Sequence, residues 1–206
     1  MRAVILPALR ATLVTWVLCG IAYPLAVTGL GQWLLPDQAN GSLIRNAAGT
    51  ILGSRLVGQD WTGPEWFHGR PSATTTVNPN DPAQKVSAPY NAAGSGGSNL
   101  GPTSRALAGR LLSDRKAAES GQPELAGREL PADMLTASGS GLDPDISPAY
   151  AALQVPRVAA ARGIPDEEIT ALVMKNTVGR ALGIFGEPRV NVLQLNLDLE
   201  AVRPKL

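Results

Sequence analysis

The side chains that could carry out chemistry are few and widely separated along the chain. The only histidine, His68, lies in the segment Phe67 to Arg70, and the only cysteine, Cys19, lies in an apolar N-terminal stretch. A tight transition-metal site needs clustered histidine, cysteine or carboxylate ligands. The sequence therefore predicts no metal site, and it favours a structural or surface role for His68.

Nucleophile and phosphate-binding motifs are incomplete. The segment from Gly96 to Leu100 approaches the G-x-S-x-G pattern around Ser98 but has leucine at its last position, and the glycines around Ser140 have the wrong phase. A P-loop needs a lysine directly after a glycine, and none of the four lysines follows one. We therefore predict no catalytic residue. A serine hydrolase that uses Ser98 or Ser140 is the alternative.

Two segments rich in glycine and serine remain, at residues 90–101 and 138–148. Backbone N–H groups in glycine-rich turns can bind an anion, and the second segment leads into a predicted helix N-terminus, which also favours anions. The other interpretation is a pair of structural turns in which glycine permits close backbone approach. Composition alone leaves both interpretations open.

An apolar stretch precedes this polar part of the chain. No formal charge occurs from Ala11 to Pro36, and about 20 apolar residues are enough to cross a bilayer. We predict a cytoplasmic tail at residues 1–10, a transmembrane helix at 11–35 that Pro24 kinks, and an exported domain at 37–206. A cleaved signal peptide is the rival interpretation, but the stretch is longer than a typical signal core and lacks a clear cleavage site.

Charge predicts the orientation of the span. Arg2 and Arg10 precede it, and the first charge after it is Asp37. By the positive-inside rule the N-terminus is cytoplasmic and the domain is periplasmic or extracellular. The domain keeps the other 16 of 18 Lys and Arg against 17 Asp and Glu, a net charge of −1. No basic stripe indicates nucleic-acid binding.

Patterning predicts a single mixed domain of the α+β class. We expect a hairpin within residues 40–60, a long loop at 70–102, a helix at 104–118 and a short strand at 131–137. A helix should begin at an N-cap on Ser147 and be kinked or divided by Pro156. Another helix should start at Pro165, followed by a strand at 190–195 that leads into further strand or a terminal helix.

The two glycine-serine segments also carry a resemblance to a known family. The chain resembles the C subunit of the Kdp high-affinity potassium-transporting P-type ATPases over nearly its whole length, and least between Thr103 and Leu130. The matching blocks occur in the family's order: residues 41–44, 53–59, 70–73, 90–91, 95–99, 136–144, 146–148, 154–159, 162–163 and 186–193. Asp145 and Gln194 depart from the family pattern, in which histidine and glutamate are usual.

The resemblance implies a non-catalytic subunit of an inner-membrane complex that imports potassium at the expense of ATP. Its implied partners are a channel-like subunit that binds the ion and a P-type subunit that hydrolyses ATP. The Asp-Lys-Thr-Gly phosphorylation motif of P-type pumps is absent from this chain. No tightly bound cofactor is expected, and ATP would act through the partner subunit.

Two roles for such a subunit follow from the resemblance. One is a catalytic chaperone that raises the ATP affinity of the pump subunit, with residues 95–99 likened to a nucleotide-binding signature. The other is an exported cap over the entrance of the channel-like subunit. The predicted orientation favours the cap, because an exported domain does not meet cytoplasmic ATP, although an effect on ATP affinity could still be allosteric.

Candidate residues follow from these hypotheses. Small residues in the span are predicted to pack against partner helices: Gly20, Pro24, Gly29 and Gly31. Others are predicted to form the polar framework of the domain or to contact a partner: Arg70, Ser95, Gly96, Gly97, Ser98, Asn99, Ser138, Ser140, Asp143 and Arg157. A free-standing exported binding domain is a third functional hypothesis.

Overall fold

A computed structural model describes residues 2–202. Met1, the first residue of the predicted tail, lies outside the described part. Residues 203–206, the last of the predicted domain, also lie outside it. The chain divides into two compact units, one up to Ser54 and one from Arg55 onward, and each is described by itself.

The first unit begins with a long apolar helix. It consists of α1 (Arg2–Val17), a π-helical turn (Leu18–Ala22) and α2 (Tyr23–Leu34). Within residues 2–202, Ala3–Leu34 is the one helix long and apolar enough to cross a membrane. It contains nearly all of the predicted span and also most of the predicted tail. The extent of the part that lies in a bilayer stays a prediction.

Pro24 lies in the first turn of α2, directly after the π-helical turn. Tyr23 N–H bonds to Leu18 O, five residues back. Because the π-turn is wider than an α-turn, it accommodates a proline that has no N–H to donate, and the helix continues. Within α2, Gly31 is seven residues from Pro24 and shares its face, whereas Gly29 lies on the opposite face.

A short helix, α3 (Pro36–Ala39), and a hairpin complete the first unit. Strands β1 (Leu43–Arg45) and β2 (Ile51–Ser54) are antiparallel, with Leu43 opposite Ser54. Between them Gly49 has a φ of +81° and donates its N–H to Asn46 O at 2.9 Å. The hairpin was predicted from these turn residues, and the structure confirms it.

The second unit starts with irregular chain and then forms a second hairpin. Strands β3 (Thr75–Asn78) and β4 (Asp81–Ser87) pair antiparallel, with Thr75 opposite Ser87. The prediction of one continuous loop over residues 70–102 was therefore wrong. Helix α4 (Arg105–Gly121) follows as predicted, and Leu107 N–H donates to its N-cap, Ser104 Oγ, at 3.4 Å.

Residues 131–137 do not form the predicted strand. They contain the short helix α5 (Ala132–Leu135), and Asp133 accepts hydrogen bonds from the Ser147 backbone and hydroxyl at 2.7 and 3.1 Å. The Ser147 hydroxyl in turn accepts from Tyr150 N–H at 3.0 Å, as an N-cap does. Helix α6 (Pro148–Arg162) runs through Pro156 undivided and ends at Gly163, whose φ is +61°.

The remaining elements form a small sheet and two helices. Helix α7 (Asp166–Lys175) leads into a three-stranded antiparallel sheet with the order β5 (Asp145–Ile146), β7 (Arg189–Asn191), β6 (Thr177–Val178). Helix α8 (Val192–Val202) follows β7 directly, so the predicted strand at 190–195 is correct only for its first two residues.

The core of this unit lies between α6, α7, α8 and the aromatic segment before residue 70. Phe67, Val158, Leu195 and Leu199 are fully buried. On α8 the buried positions follow a helical spacing: Val192, Leu193, Leu195, Asn196 and Leu199. A long apolar helix followed by a mixed helix and strand domain confirms the predicted α+β class.

Candidate functional site

The two glycine-serine segments lie against each other. Gly96 N–H donates to Ser140 O at 2.8 Å, and Ser95 Oγ donates to the same oxygen at 3.1 Å. A Cβ added to Gly97 would lie 2.9 Å from Gly139 O. The close contact of two backbones is therefore the local reason for glycine at position 97.

The second segment is also closed by bonds of its own. Ser138 Oγ accepts the N–H of Gly141 at 2.8 Å, and Ser140 Oγ accepts that of Leu142 at 3.1 Å. Gly141 has a φ of +68°, and a Cβ there would lie 2.7 Å from Gly96 O. The serines of this segment thus bind backbone groups of their own turn.

Two hydroxyls that sequence reasoning did not single out support these segments. Ser72 Oγ donates to Gly141 O at 2.7 Å and accepts the N–H of Tyr90 at 3.0 Å. Thr74 Oγ1, which is almost completely buried, donates to Ala88 O at 2.6 Å. Ser72 lies in the Arg70–Ala73 block of the resemblance, which was the one signal in the sequence that could have pointed to it.

Tyr90 connects this network to Arg70. Its hydroxyl donates to Arg70 O at 2.7 Å, and burial raises the pKa of Tyr90 well above its ordinary value. Side chains at Gly58 or Gly69 would overlap the Tyr90 ring or hydroxyl. The neutral phenol therefore works as a fixed hydrogen-bond donor, and two glycines make room for its ring.

Arg70 and Asp143 form an ion pair across the same framework. Arg70 Nη1 lies 3.0 Å from Asp143 Oδ2, and about a quarter of each side chain is exposed. Arg70 Nη2 also donates to Thr136 O at 3.3 Å. Asp143 Oδ1 accepts the N–H of Asp145 at 3.1 Å. The pair fixes the turn that carries the second glycine-serine segment.

Arg157 belongs to a separate cluster. Its guanidinium donates to Pro64 O at 2.6 Å and to Gln154 Oε1 at 2.7 Å, and burial lowers its pKa from the ordinary value. His68 lies beside it, and its Nε2 donates to Gly63 O at 2.7 Å. Burial, and to a smaller extent the Arg157 cation, lower the pKa of His68. The neutral ring is therefore favoured here.

Two side-chain amides hold the backbone of residues 67 and 68, and sequence reasoning missed both. Asn196 Oδ1 accepts Phe67 N–H and its Nδ2 donates to Phe67 O, each at 2.9 Å. Gln154 does the same for His68, at 2.7 and 3.0 Å. Each amide replaces a strand partner, which satisfies backbone groups that burial would otherwise leave unpaired.

Ser98 and Asn99 stand apart from these bonds. Asn99 is exposed and has a φ of +52°, a conformation that asparagine tolerates better than most residues. Within residues 2–202 neither side chain hydrogen-bonds to another described residue. The structure therefore joins Ser95, Gly96 and Gly97 to residues 138–140, and it leaves Ser98 half-buried and Asn99 exposed, outside these hydrogen bonds.

The geometry offers little for catalysis or metal binding. Among the described residues no three His, Cys, Asp or Glu side chains gather into a possible metal site. In the same part of the chain the His68 ring bonds a backbone carbonyl, and neither Ser98 nor Ser140 bonds that ring. Asp145 and Gln194, the two departures from the family pattern, bond Arg189 at 3.0 Å and Asp198 at 3.0 Å.

Comparison with known proteins identifies the family. The model of the family KdpC, described as "K+-transporting ATPase, c chain", matches residues 5–201. The chain belongs to the KdpC family. This confirms the resemblance inferred from the ordered sequence blocks, and it establishes the chain as a member of a family of subunits of potassium-transporting ATPases.

The relatives match over almost the full length. The proteins of Rhodopseudomonas palustris strain CGA009 and Bradyrhizobium diazoefficiens are each 54% identical over 199 residues, which is 97% of this chain and 97% of theirs. That of Methylobacterium nodulans is 54% identical over 201 residues, 96% of this chain and 98% of its own. All three are named "Potassium-transporting ATPase KdpC subunit".

Proposed function

We propose that this chain is a non-catalytic accessory subunit that a potassium-importing ATPase complex needs for its assembly and stability. The observation that carries this proposal is the hydrogen bonding of the two glycine-serine segments. Their backbone and hydroxyl groups bond to each other and within the second segment, the first of these residues being Ser95 and the last Leu142. The donors of Ser95, Gly96, Gly141 and Leu142 are already bonded within this framework, so they are not available to cradle a nucleotide phosphate.

The proposed partners are the channel-like subunit that binds potassium and the P-type subunit that hydrolyses ATP, together with the lipid bilayer. The long apolar helix supports a membrane anchor, and its small residues support close packing with partner helices. The net charge of −1 after the span gives no reason to invoke a nucleic acid.

The domain is proposed to lie on the periplasmic or extracellular side of the membrane and to cap the channel-like subunit. Arg2 and Arg10 before the span support this orientation. On that side the domain does not contact ATP, so an influence on ATP affinity would pass through the partner subunits as a coupling between two states of the pump. No tightly bound cofactor belongs to this function.

A labelling experiment tests the orientation. In a Cys19→Ser background, Leu112→Cys places a thiol on an exposed position of α4, and Ala8→Cys provides a matched thiol before the predicted span while keeping both arginines. In intact spheroplasts a membrane-impermeant maleimide should modify position 112, and it should modify position 8 only after lysis. The reverse pattern would overturn the cap and favour direct access to cytoplasmic ATP.

A reconstitution experiment tests the accessory role. We expect the complex assembled without this chain to lose potassium-stimulated ATP hydrolysis, and the purified chain to show neither ATPase nor hydrolase activity. An active isolated chain would favour the serine hydrolase alternative. Full activity of the complex without the chain would favour the free-standing binding domain.

Asn99 allows a narrower test of partner contact. Asn99→Gly removes the exposed amide, and glycine adopts the left-handed backbone conformation without strain. This variant should therefore keep the stability of the chain. If the amide contacts a partner, as we propose, this variant should lower the activity of the complex, and Asn99→Ala should lower both activity and stability. Full activity in both variants would show that the Asn99 amide does not contact a partner.

A further inference from the structure

Large apolar side chains are exposed on one loop of the second unit. This loop, named here the apolar loop, comprises residues 179–187 between β6 and β7. Leu182 is 88% exposed, the highest value among the described large apolar side chains, and Ile184 and Phe185 are 71% and 64% exposed. Exposed apolar side chains that lie together mark sites of interaction.

The apolar loop has a defined conformation. Ala181 and Phe185 exchange two backbone hydrogen bonds, at 2.8 and 2.9 Å, and Gly183 N–H donates to Arg180 O at 3.1 Å. Arg180 Nη2 contacts both carboxylate oxygens of Glu187 at 2.8 Å and so joins the two ends of the loop. A loop closed in this way loses little conformational freedom when it binds.

The most exposed residue of the loop is also in an unfavourable backbone conformation. Leu182 has a φ of +54°, a region that non-glycine residues rarely occupy, and Gly183 follows at +74°. The Leu182 side chain is not buried within this unit, so no packing inside the unit compensates for this strain. Strained residues of this kind concentrate at binding and switch regions, where the strain holds a side chain in its working position.

The charges beside the apolar loop indicate what it contacts. Elements that bind a membrane surface combine exposed apolar residues with cations that attract anionic headgroups. Here three neighbouring cations are paired within the chain: Arg180 with Glu187, Arg189 with Asp145, and Lys175 with Asp198. An apolar tip among neutralised charges fits an uncharged protein pocket better than a lipid surface.

The surroundings of the loop also fit a protein partner. Val178 and Arg189, which lie on the two sides of the loop, line a cleft of about 610 Å³. Its lining also includes three amide side chains and three further charged ones: Asn176, Asn191, Gln194, Arg55, Asp145 and Lys175. Apolar anchors beside such polar and charged groups have the composition of a protein interface, which combines a buried apolar centre with a polar rim.

We infer that Leu182, Ile184 and Phe185 anchor this chain in an apolar pocket on another protein subunit of the complex. This inference rests on the proposed accessory function. The subunit supplies a pocket without charged residues at its centre, and residues around that pocket bond the polar lining of the cleft. The apolar loop is thus the docking element of the domain, and it acts separately from the packing of the membrane helix.

Two variants of the full chain test this inference within the assembled complex. Leu182→Asp and Phe185→Asp place a charge on the anchor, and Leu112→Asp is the matched control on another exposed leucine. We expect both loop variants to reduce co-purification of the partner subunits about tenfold, as the loss of an interface anchor does. The control should leave co-purification unchanged, and the near-ultraviolet circular dichroism of each chain verifies its fold.

A photo-crosslinking phenylalanine analogue at position 185 identifies the occupant without weakening the site. An adduct with a protein subunit supports the inference, and an adduct with lipid or none overturns it. Loop variants that co-purify like the wild type also overturn it, while the accessory function stands if omission of the chain still abolishes ATPase activity. Unchanged activity after omission overturns both.

Discussion

Gly97 lies so close to the carbonyl oxygen of Gly139 that a single added carbon would be only 2.9 Å from it. The contact joins the two glycine-serine segments through residues that are more than forty positions apart in the sequence. Both partners are backbone, so neither can move aside in the way that a flexible side chain can. The glycine at position 97 is therefore a requirement of the fold.

Gly97→Ala should destabilise the chain by about 1–3 kcal/mol, the usual cost of forcing an extra carbon into a packed site. Gly96→Ala is the matched control, because a Cβ at Gly96 meets no atom within 4 Å and its N–H bond to Ser140 O is kept. Its effect should stay within about 0.5 kcal/mol. Denaturant unfolding of the purified chain in detergent measures both, and equal stabilities would contradict the contact.

Arg70 and Asp143 should show a measurable coupling energy. Arg70→Met and Asp143→Asn each leave a largely buried partner without its counter-charge, so each should cost about 1–3 kcal/mol, and the double variant should cost less than their sum. The exposed pair Arg180 and Glu187 serves as the control and should contribute at most about 1 kcal/mol. Strict additivity at the first pair would show that the ion pair does not stabilise the framework.

The stability of the chain should fall as the pH drops below about 6.5, the ordinary pKa of histidine. Burial and Arg157 lower the pKa of His68 in the folded state, so the unfolded chain takes up a proton first. The stability this residue contributes is thus complete above the unfolded pKa and is lost as the pH falls towards the folded one, with a slope of at most about 1.4 kcal/mol per pH unit.

His68→Gln provides the comparison for that pH dependence. It removes the titrating ring and keeps the backbone groups that Gln154 binds. Thermal unfolding between pH 7 and pH 5 should show a smaller loss of stability for the variant than for the wild type. Parallel pH profiles for the two proteins would show that His68 is not responsible.

The small residues of the membrane helix should differ in their effects on assembly. A side chain at Gly29 or Gly31 meets no atom of the chain within 4 Å, so leucine at either position should not disturb this helix itself. Gly31 shares a face with Pro24, and we expect Gly31→Leu to reduce recovery of the complex. Gly29→Leu, on the opposite face, tests the second surface. Unchanged recovery in both variants would rule out helix packing through these glycines.

The hairpin β3–β4 shows where sequence patterns fail. A strand is recognised by alternating apolar residues when one of its faces is buried. Here the side chains of both strands are almost all exposed or half-buried, so no face had to be apolar. The proline and asparagine of the turn were visible in the sequence, but the composition around them indicated only loop.

Helix α8 shows a different failure. Its leucines at 195, 197 and 199 alternate as in a strand, while the buried set from Val192 to Leu199 follows a helical spacing. Both periods are present in the same eight residues. Whether this segment forms a helix or a strand therefore depends on its packing against distant elements. By contrast, the Ser147 cap and the Asn46–Gly49 turn were predictable because local hydrogen bonds determine them.

The candidate framework was predictable in its residues but not in its connections. Ordered blocks of sequence identified Arg70, Asp143 and the glycine-serine segments. Their bonds to each other cross about 45 to 73 positions of the chain, and no periodicity in the sequence encodes such distances. Ser72, Thr74 and the two buried amides were missed because single hydroxyl and amide side chains carry no spacing signal.

The bond between Asn196 and Phe67 has a consequence for the biogenesis of the protein. The two residues are separated by 129 positions, and the amide belongs to the last helix of the described chain. Contacts at such separations form only after the intervening chain is available. The backbone of Phe67 therefore gains these two hydrogen bonds only after residue 196 has been synthesised, and a nascent chain that ends before that codon lacks them.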